Sequence, residues 1–410
     1  MSENNNLRLF YGSCLALITT AFSFSIRGGI LPQLGAEYGI SAEQLGFINS
    51  MWFFGFPISM IIGGIFYNSI GPKRIMMFAF FAHTLGILLT IFATNYTTLL
   101  ISTLFIGLGN GCTEAACNPL IATSYSGKRM NTLLNRFHMW FPGGILVGSL
   151  ISFFMTNNMA SVGWRGQVWL LMLPTIAYAI TFWGQKFPET SAEVVKQRSG
   201  NASIGSWIGM FVFICVCMSL TAISEFGPSQ WASIVLAKSG AEPMLIVALT
   251  AGVAAVGRYF GGDFVHRFDQ TGVLLASAVV ATIGITMLSM VTGPSAYVAA
   301  VVFGMGICYF WPNMIGFTAE KIPASGALGM SIVGAMGMLS TSIWNPIIGF
   351  WIDREAEKAR LSGVADPDLV AGQTALSYMI TYPAILIVLF TILYFWVKRT
   401  KPAAVAATTH

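Results

Sequence analysis

Residues 63–76, GGIFYNSIGPKRIM, lie between two long apolar runs, and residues 261–274, GGDFVHRFDQTGVL, repeat their frame without a gap 198 positions later. The GLG at Gly107 and the GMG at Gly304 stand 197 positions apart. Two unrelated stretches that agree on an offset near half the chain point to an internal duplication, the sequence mark of a two-fold-repeated membrane body. The flanking runs fix the medium. With 55% hydrophobic and only 9% charged residues, the chain is too apolar to dissolve as a globular protein of 410 residues.

A helix crossing a hydrocarbon core of about 30 Å needs about 20 mostly apolar residues. Such runs occur twelve times, at 7–32, 44–67, 73–94, 97–121, 133–157, 167–185, 205–228, 242–264, 272–292, 295–318, 327–350 and 375–398. They are continuous rather than alternating, so they predict helices and exclude a barrel. The expected fold is an all-α membrane protein of two pseudo-symmetric six-helix halves, residues 1–185 and 205–410, joined by the polar stretch 186–204. A second polar break, 353–373, carries charges of both signs.

Lysines and arginines near span ends are held on the cytoplasmic side. With both termini inside, fifteen of the 21 basic residues fall on the inner face, and Arg165, Lys238, Arg354, Lys358 and Arg360 on the outer. That leaves Arg27, inside the first span. The net charge of +5 is therefore accounted for by topology, and no nucleic-acid partner is expected. The first run is too long, and its flank MSENNNLRL too weakly basic, for a cleaved secretion signal. All six cysteines fall inside predicted spans, which implies neither disulfides nor a metal site.

The duplicated architecture resembles the major facilitator superfamily over the whole chain, and within it the fucose:proton symporter branch. The fourth-span stretch GLGNGCTEAACNPLI supplies Glu114, Asn118 and Pro119; SEFGPSQW supplies Glu225 and Trp231; GRYFGG supplies the eighth-span Gly-Arg-aromatic segment with Arg258. The resemblance implies alternating access with protons as the coupling ion, no other cofactor, a lipid bilayer and a small-molecule substrate as partners, a cytoplasmic-membrane location, and function as a monomer. The loop after span two departs from the superfamily pattern. It keeps Gly64, Gly71, Lys73 and Arg74 but has Asn68 where an acid is usual, and together with Arg258, Asp263 and Arg267 of its second-half counterpart these are the expected gating-loop residues. The first span departs too. Four residues before Pro32, where the fucose symporters place an aspartate, stands Gly28, with Arg27 beside it.

A charge at membrane depth costs about 2.5–3.5 kcal/mol on insertion scales, so Arg27 is expected to face water, substrate or a partner rather than lipid. The repeat offset makes Arg27 and Glu225 equivalent positions, and with Glu114 near the middle of span four, three charges are expected to converge on one cavity. Two readings follow. Arg27 and a glutamate form a structural ion pair, or the arginine tunes a carboxylate that carries the proton, Glu114 first and Glu225 second. Amides and aromatics suited to clasping a hydroxylated solute complete the expected binding site: Asn118, Asn135, His138, Trp140, Trp231, Trp311, Asn313 and Asn345, with Arg27 and Glu225 themselves. Asn110 belongs to the same set, Trp344 fits an interfacial belt, and His83 fits a satisfied structural group.

No HExxH, CxxC pair, GxSxG or phosphate-binding Gly-Lys-Ser/Thr loop is present, so catalysis and nucleotide-driven pumping are not expected. The sequence reads as a proton-coupled symporter of a small hydrophilic solute, a sugar or polyol. The alternative is a carrier of small organic anions, motivated by Arg27, or an exporter of the same fold.

Overall fold

The computed structural model describes residues 3–125, 127–188, 207–322 and 325–400, and among them every regular element is a helix. Each of the twelve runs becomes helical, and ten helices among the described residues are long and apolar enough to cross a membrane, one of them carrying runs two and three. Span one is Glu3–Tyr38. Spans two and three form one continuous stretch, Ala42–Ile91, broken at Gly71, whose φ of 78° and ψ of 155° turn the chain just before Pro72. Only glycine adopts that backbone without strain, and proline cannot continue a helix whose hydrogen bonds it lacks. Span four is Tyr96–Ser124 and span five Gly127–Asn158. Span six is made of Gly163–Trp169 and Met172–Phe182.

The second half repeats the series. Spans seven, eight and nine are Ile208–Val235, Pro243–Phe268 and Gln270–Met290. Span ten is Ser295–Ile307 followed by Phe310–Lys321. Span eleven is Gly326–Leu361, and span twelve joins Pro367–Met379 to Thr381–Thr400. Starts are set by local chemistry. Ser41 and Gln44 form a reciprocal capping box for span two, and Asn95 accepts the backbone N–H of Thr98 at the start of span four.

One boundary differs from the sequence reading. The stretch from 353, read as a polar break, continues span eleven as helix to Leu361. It does so because it is amphipathic: Ala356 and Ala359 are buried, and Glu355 is held by Lys358 at 3.2 Å and by the Tyr378 hydroxyl at 3.1 Å.

The start of span one is tied to the end of span six, where Asn5 and Lys186 exchange two hydrogen bonds of 2.8 and 3.0 Å. The chain start and the end of the first half thus share one face, called here the terminal face. Most of the linker, 189–204, lies outside the described residues. Opposite the terminal face the halves are sealed together by spans two and eleven and by spans one and seven; span five packs on span eight. In the seal, Asp353 accepts the backbone N–H groups of Ala42 and Glu43 at 3.1 and 2.8 Å, and Ser50 and Ser342 join hydroxyls at 2.8 Å. Glycine makes the approach possible. A Cβ on Gly46 would stand 2.5 Å from the Asn345 carbonyl oxygen.

Candidate functional site

Span one carries Arg27 into the contact between the halves. The side chain is 8% exposed. Its Nε donates to Asn49 Oδ1 of span two at 2.8 Å, its Nη2 donates to Gln230 Oε1 of span seven, and its guanidinium lies over the Trp52 ring at 4.8 Å. A cation over an aromatic face is attracted by the ring quadrupole without being neutralised. No carboxylate touches Arg27 among the described residues. Nη1 has no hydrogen-bond partner there, and neither does Asn49 Nδ2. Two buried donors thus stand beside one positive charge.

Gly28 lets span seven come this close. A Cβ at that position would meet Gln230 Nε2 at 3.1 Å, and the Gly28 carbonyl accepts from the Ser233 hydroxyl. One turn towards the terminal face lies a layer of rings from five spans. Phe24 meets Phe53, Phe141 and Phe226 at centroid distances of 6.2, 6.1 and 5.5 Å, and Phe226 meets Trp311 at 6.0 Å. Beyond that layer Glu114, Asn118 and His138 are partly exposed. Asn118 Nδ2 donates to Glu114 Oε2 at 2.6 Å, one turn along span four.

The second half balances its own charges. Arg258 donates from Nη2 to Glu225 Oε1 at 2.9 Å and from Nε to the Cys308 carbonyl at 2.9 Å, and both ionic side chains are about nine-tenths buried. Charge-assisted pairs of this kind are strong in a water-poor setting. Among the described residues, then, the second half holds an internally paired arginine and the first half an arginine with no carboxylate against it.

A sequence profile described as the Major Facilitator Superfamily matches residues 13–345. The chain belongs to that superfamily. It is similar to the sialic acid transporter NanX of Escherichia coli (strain K12), 26% identical over 285 residues that cover 66% of this chain and 67% of that protein. It is also similar to the L-fucose-proton symporter of the same organism, 22% identical over 83% of this chain and 86% of the relative. Among solved structures, a D-xylose-proton symporter superposes with a TM-score of 0.76 at 14% identity, covering 95% of this chain and 97% of that one. At that identity the likeness shows the fold alone. As a major facilitator the chain is a multi-pass membrane transporter, not an enzyme.

The superfamily fold places the expected site residues unevenly. The three charges do not form one cluster: Glu225 is taken by Arg258, and Arg27 sits at the level of Gln230, five residues further along span seven. The ion pair between Arg27 and a glutamate is therefore corrected. Offset equivalence relates positions within each half, and does not say what faces them. Arg258, expected at a gating loop, lies inside span eight for the same reason.

Trp231 and Asn345, expected to bind substrate, are fully buried and bonded to each other, Trp231 Nε1 donating to Asn345 Oδ1 at 3.0 Å. Trp140 is 40% exposed and lies two residues past His138, about 200° around the helix. It therefore sits on the opposite side of span five from His138. Trp311 joins the ring layer, and Asn313 is 5% exposed with Nδ2 unpartnered among the described residues. Gly64 approaches span eleven, where a Cβ would lie 3.8 Å from Ser331 Oγ, and Lys73 and Arg74 are exposed. The side chains of Asn135, Asp263 and Arg267 lie outside the described residues.

Asn49, Trp52 and Gln230 are the functional candidates that the sequence reading missed. An amide inside the apolar run INSMWFF was the available signal for the first. Trp52 is held by a polar chain that crosses four spans. Its Nε1 donates to Ser23 Oγ at 2.9 Å, Asn110 Nδ2 donates to the same oxygen at 3.3 Å, and Asn110 Oδ1 meets His83 Nε2 at 2.9 Å. His83 Nδ1 meets the Tyr178 hydroxyl at 3.1 Å. An Asn carbonyl oxygen only accepts, so Nε2 carries a proton. In the neutral ring Tyr178 then donates to Nδ1.

Proposed function

We propose that this major facilitator carries a small hydroxylated organic anion, a sugar acid or related carboxylate, by alternating access coupled to protons. The observation that supports the anion is the Arg27 environment: a guanidinium 8% exposed that, among the described residues, bonds to neutral oxygens, lies over the Trp52 ring and stands with two donors that have no partner there. Charges buried without a partner are costly, and a carboxylate bound by a guanidinium fork and an amide N–H answers that cost with charge-assisted hydrogen bonds. The neutral-sugar reading needed Arg27 to act on a carboxylate, and among the described residues no carboxylate touches it. The relative named for sialic acid transport supports the same choice.

The proton is carried by Glu114, a partly exposed residue whose carboxyl is bonded by Asn118. Glu225 is the second choice. The carrier works as a monomer in the cytoplasmic membrane with both termini inside, as the basic residues direct. The conformation described here, sealed away from the terminal face, is then the inward-facing one.

Binding of matched pairs by the purified protein tests the reading: glucuronate against glucose, gluconate against sorbitol, and N-acetylneuraminate against its methyl ester. The acids are expected to bind and to raise the melting temperature, their neutral partners to bind at least tenfold more weakly. Neutral members that bind as well as their acids would overturn the anion. A pH gradient that fails to drive accumulation in proteoliposomes would overturn the coupling.

A further inference from the structure

The Arg27 cage is built from residue types that are one atom away from cancelling it. Asn49 is fully buried and Gln230 is 1% exposed, and each turns its carbonyl oxygen to the guanidinium. Gln230 is fixed from its other end, its Nε2 donating to the Phe24 carbonyl at 2.8 Å. Aspartate and glutamate have nearly the same shapes and would reach the same nitrogens. The protein contains the outcome of that alternative in its other half, where a carboxylate takes the Arg258 guanidinium at 2.9 Å.

We infer that Asn49 and Gln230 are specificity-determining residues, holding Arg27 in place with neutral oxygens so that its charge remains for the anionic group of the substrate. The inference rests on the anion reading above and adds the residues that make it possible. A carboxylate at either position would do two things. It would neutralise the guanidinium at hydrogen-bond distance, and it would set a like charge against the incoming anion, a juxtaposition worth several kcal/mol in a desolvated contact. Gln230 has a second part to play because it belongs to the other half. When the seal between spans one and seven opens, Gln230 leaves Nη2, and Nη1, Nη2 and Asn49 Nδ2 then present three donors to one carboxylate.

The test compares Asn49→Asp, Gln230→Glu and Gln230→Leu with the wild type, using glucuronate and N-acetylneuraminate as probes in calorimetric titrations of detergent-purified protein. Both acidic variants are expected to fold, as judged by their melting curves, and to weaken anion binding by about 30-fold or more. Gln230→Leu also breaks the bond between the halves but adds no charge, and is expected to bind the anion at least tenfold more tightly than Gln230→Glu. Either acidic variant binding like the wild type overturns the inference while the anion reading stands. Gln230→Leu falling as far as Gln230→Glu overturns it too, because the bond and not the charge would then matter. A wild type that binds neither acid but does bind glucose overturns the anion reading, and the inference with it.

Discussion

Replacing Arg27 by glutamine removes a charge while leaving an amide that still donates one hydrogen bond. In the wild type the guanidinium donates to Asn49 and Gln230 and lies 4.8 Å from the Trp52 centroid, with Nη1 left for a ligand. Truncating one side of a desolvated, hydrogen-bonded charge pair costs about 2–5 kcal/mol of binding, so Arg27→Gln is expected to weaken a sugar acid by about 30- to 5,000-fold. Stability should change less. No carboxylate is stranded, and at most one of the two amide oxygens loses its partner, a cost of about 1–3 kcal/mol. Arg27→Lys keeps the charge but not the fork, and is expected to fall between, near tenfold. Titration calorimetry for affinity and thermal unfolding in detergent for stability separate the two effects. Arg27→Gln protein that binds the acid within threefold of wild type, or that never folds, would refute the reasoning.

Three further outcomes follow from the same geometry. Glu114→Gln is expected to abolish uphill uptake driven by a pH gradient while sparing counterflow exchange of labelled substrate; gradient-driven uptake that survives in proteoliposomes rules Glu114 out. Arg258→Met strands the buried Glu225 carboxylate and should cost about 3–5 kcal/mol, most of it restored when Glu225→Gln is added, as melting curves of the single and double variants would show. Gly46→Leu puts a side chain where a Cβ already comes within 2.5 Å of the Asn345 carbonyl, so the seal between spans two and eleven should fail to close. A Ser342→Cys reporter, 3% exposed as serine, should then react faster with an impermeant maleimide when Gly46→Leu is also present; equal labelling rates in both backgrounds count against the seal.

Most of the architecture was legible because membrane helices announce themselves by length and apolarity, and duplication by a constant offset. What single-sequence reading could not supply was pairing across the cleft. Arg27 and Glu225 stand 198 positions apart and look like partners, yet Arg258, hidden in the plain segment GRYFGG, takes the carboxylate because span eight packs beside span seven. Trp140 and His138 share the motif LNRFHMWFPGG but point to different sides of one helix, a distinction made by 100° per residue rather than by composition. Trp231 looked like a sugar platform, and its burial against Asn345 comes from a neighbour 114 residues away. Asn49 and Gln230 carry no charge, and although one interrupts the apolar run INSMWFF and the other lies within SEFGPSQW, their role showed only once the arginine was seen between them.

Asp353 gives the carrier a preferred resting pose. Its carboxylate sits on the free N–H groups that open span two, where the helix dipole favours negative charge, and it reaches them only while the two halves touch at that end. The toll for reorientation then falls on the unloaded carrier, which must rehydrate Asp353 and two backbone donors without a ligand to help. Turnover with solute on both sides should accordingly outrun one-way flux, and Asp353→Asn should narrow the gap between the two rates.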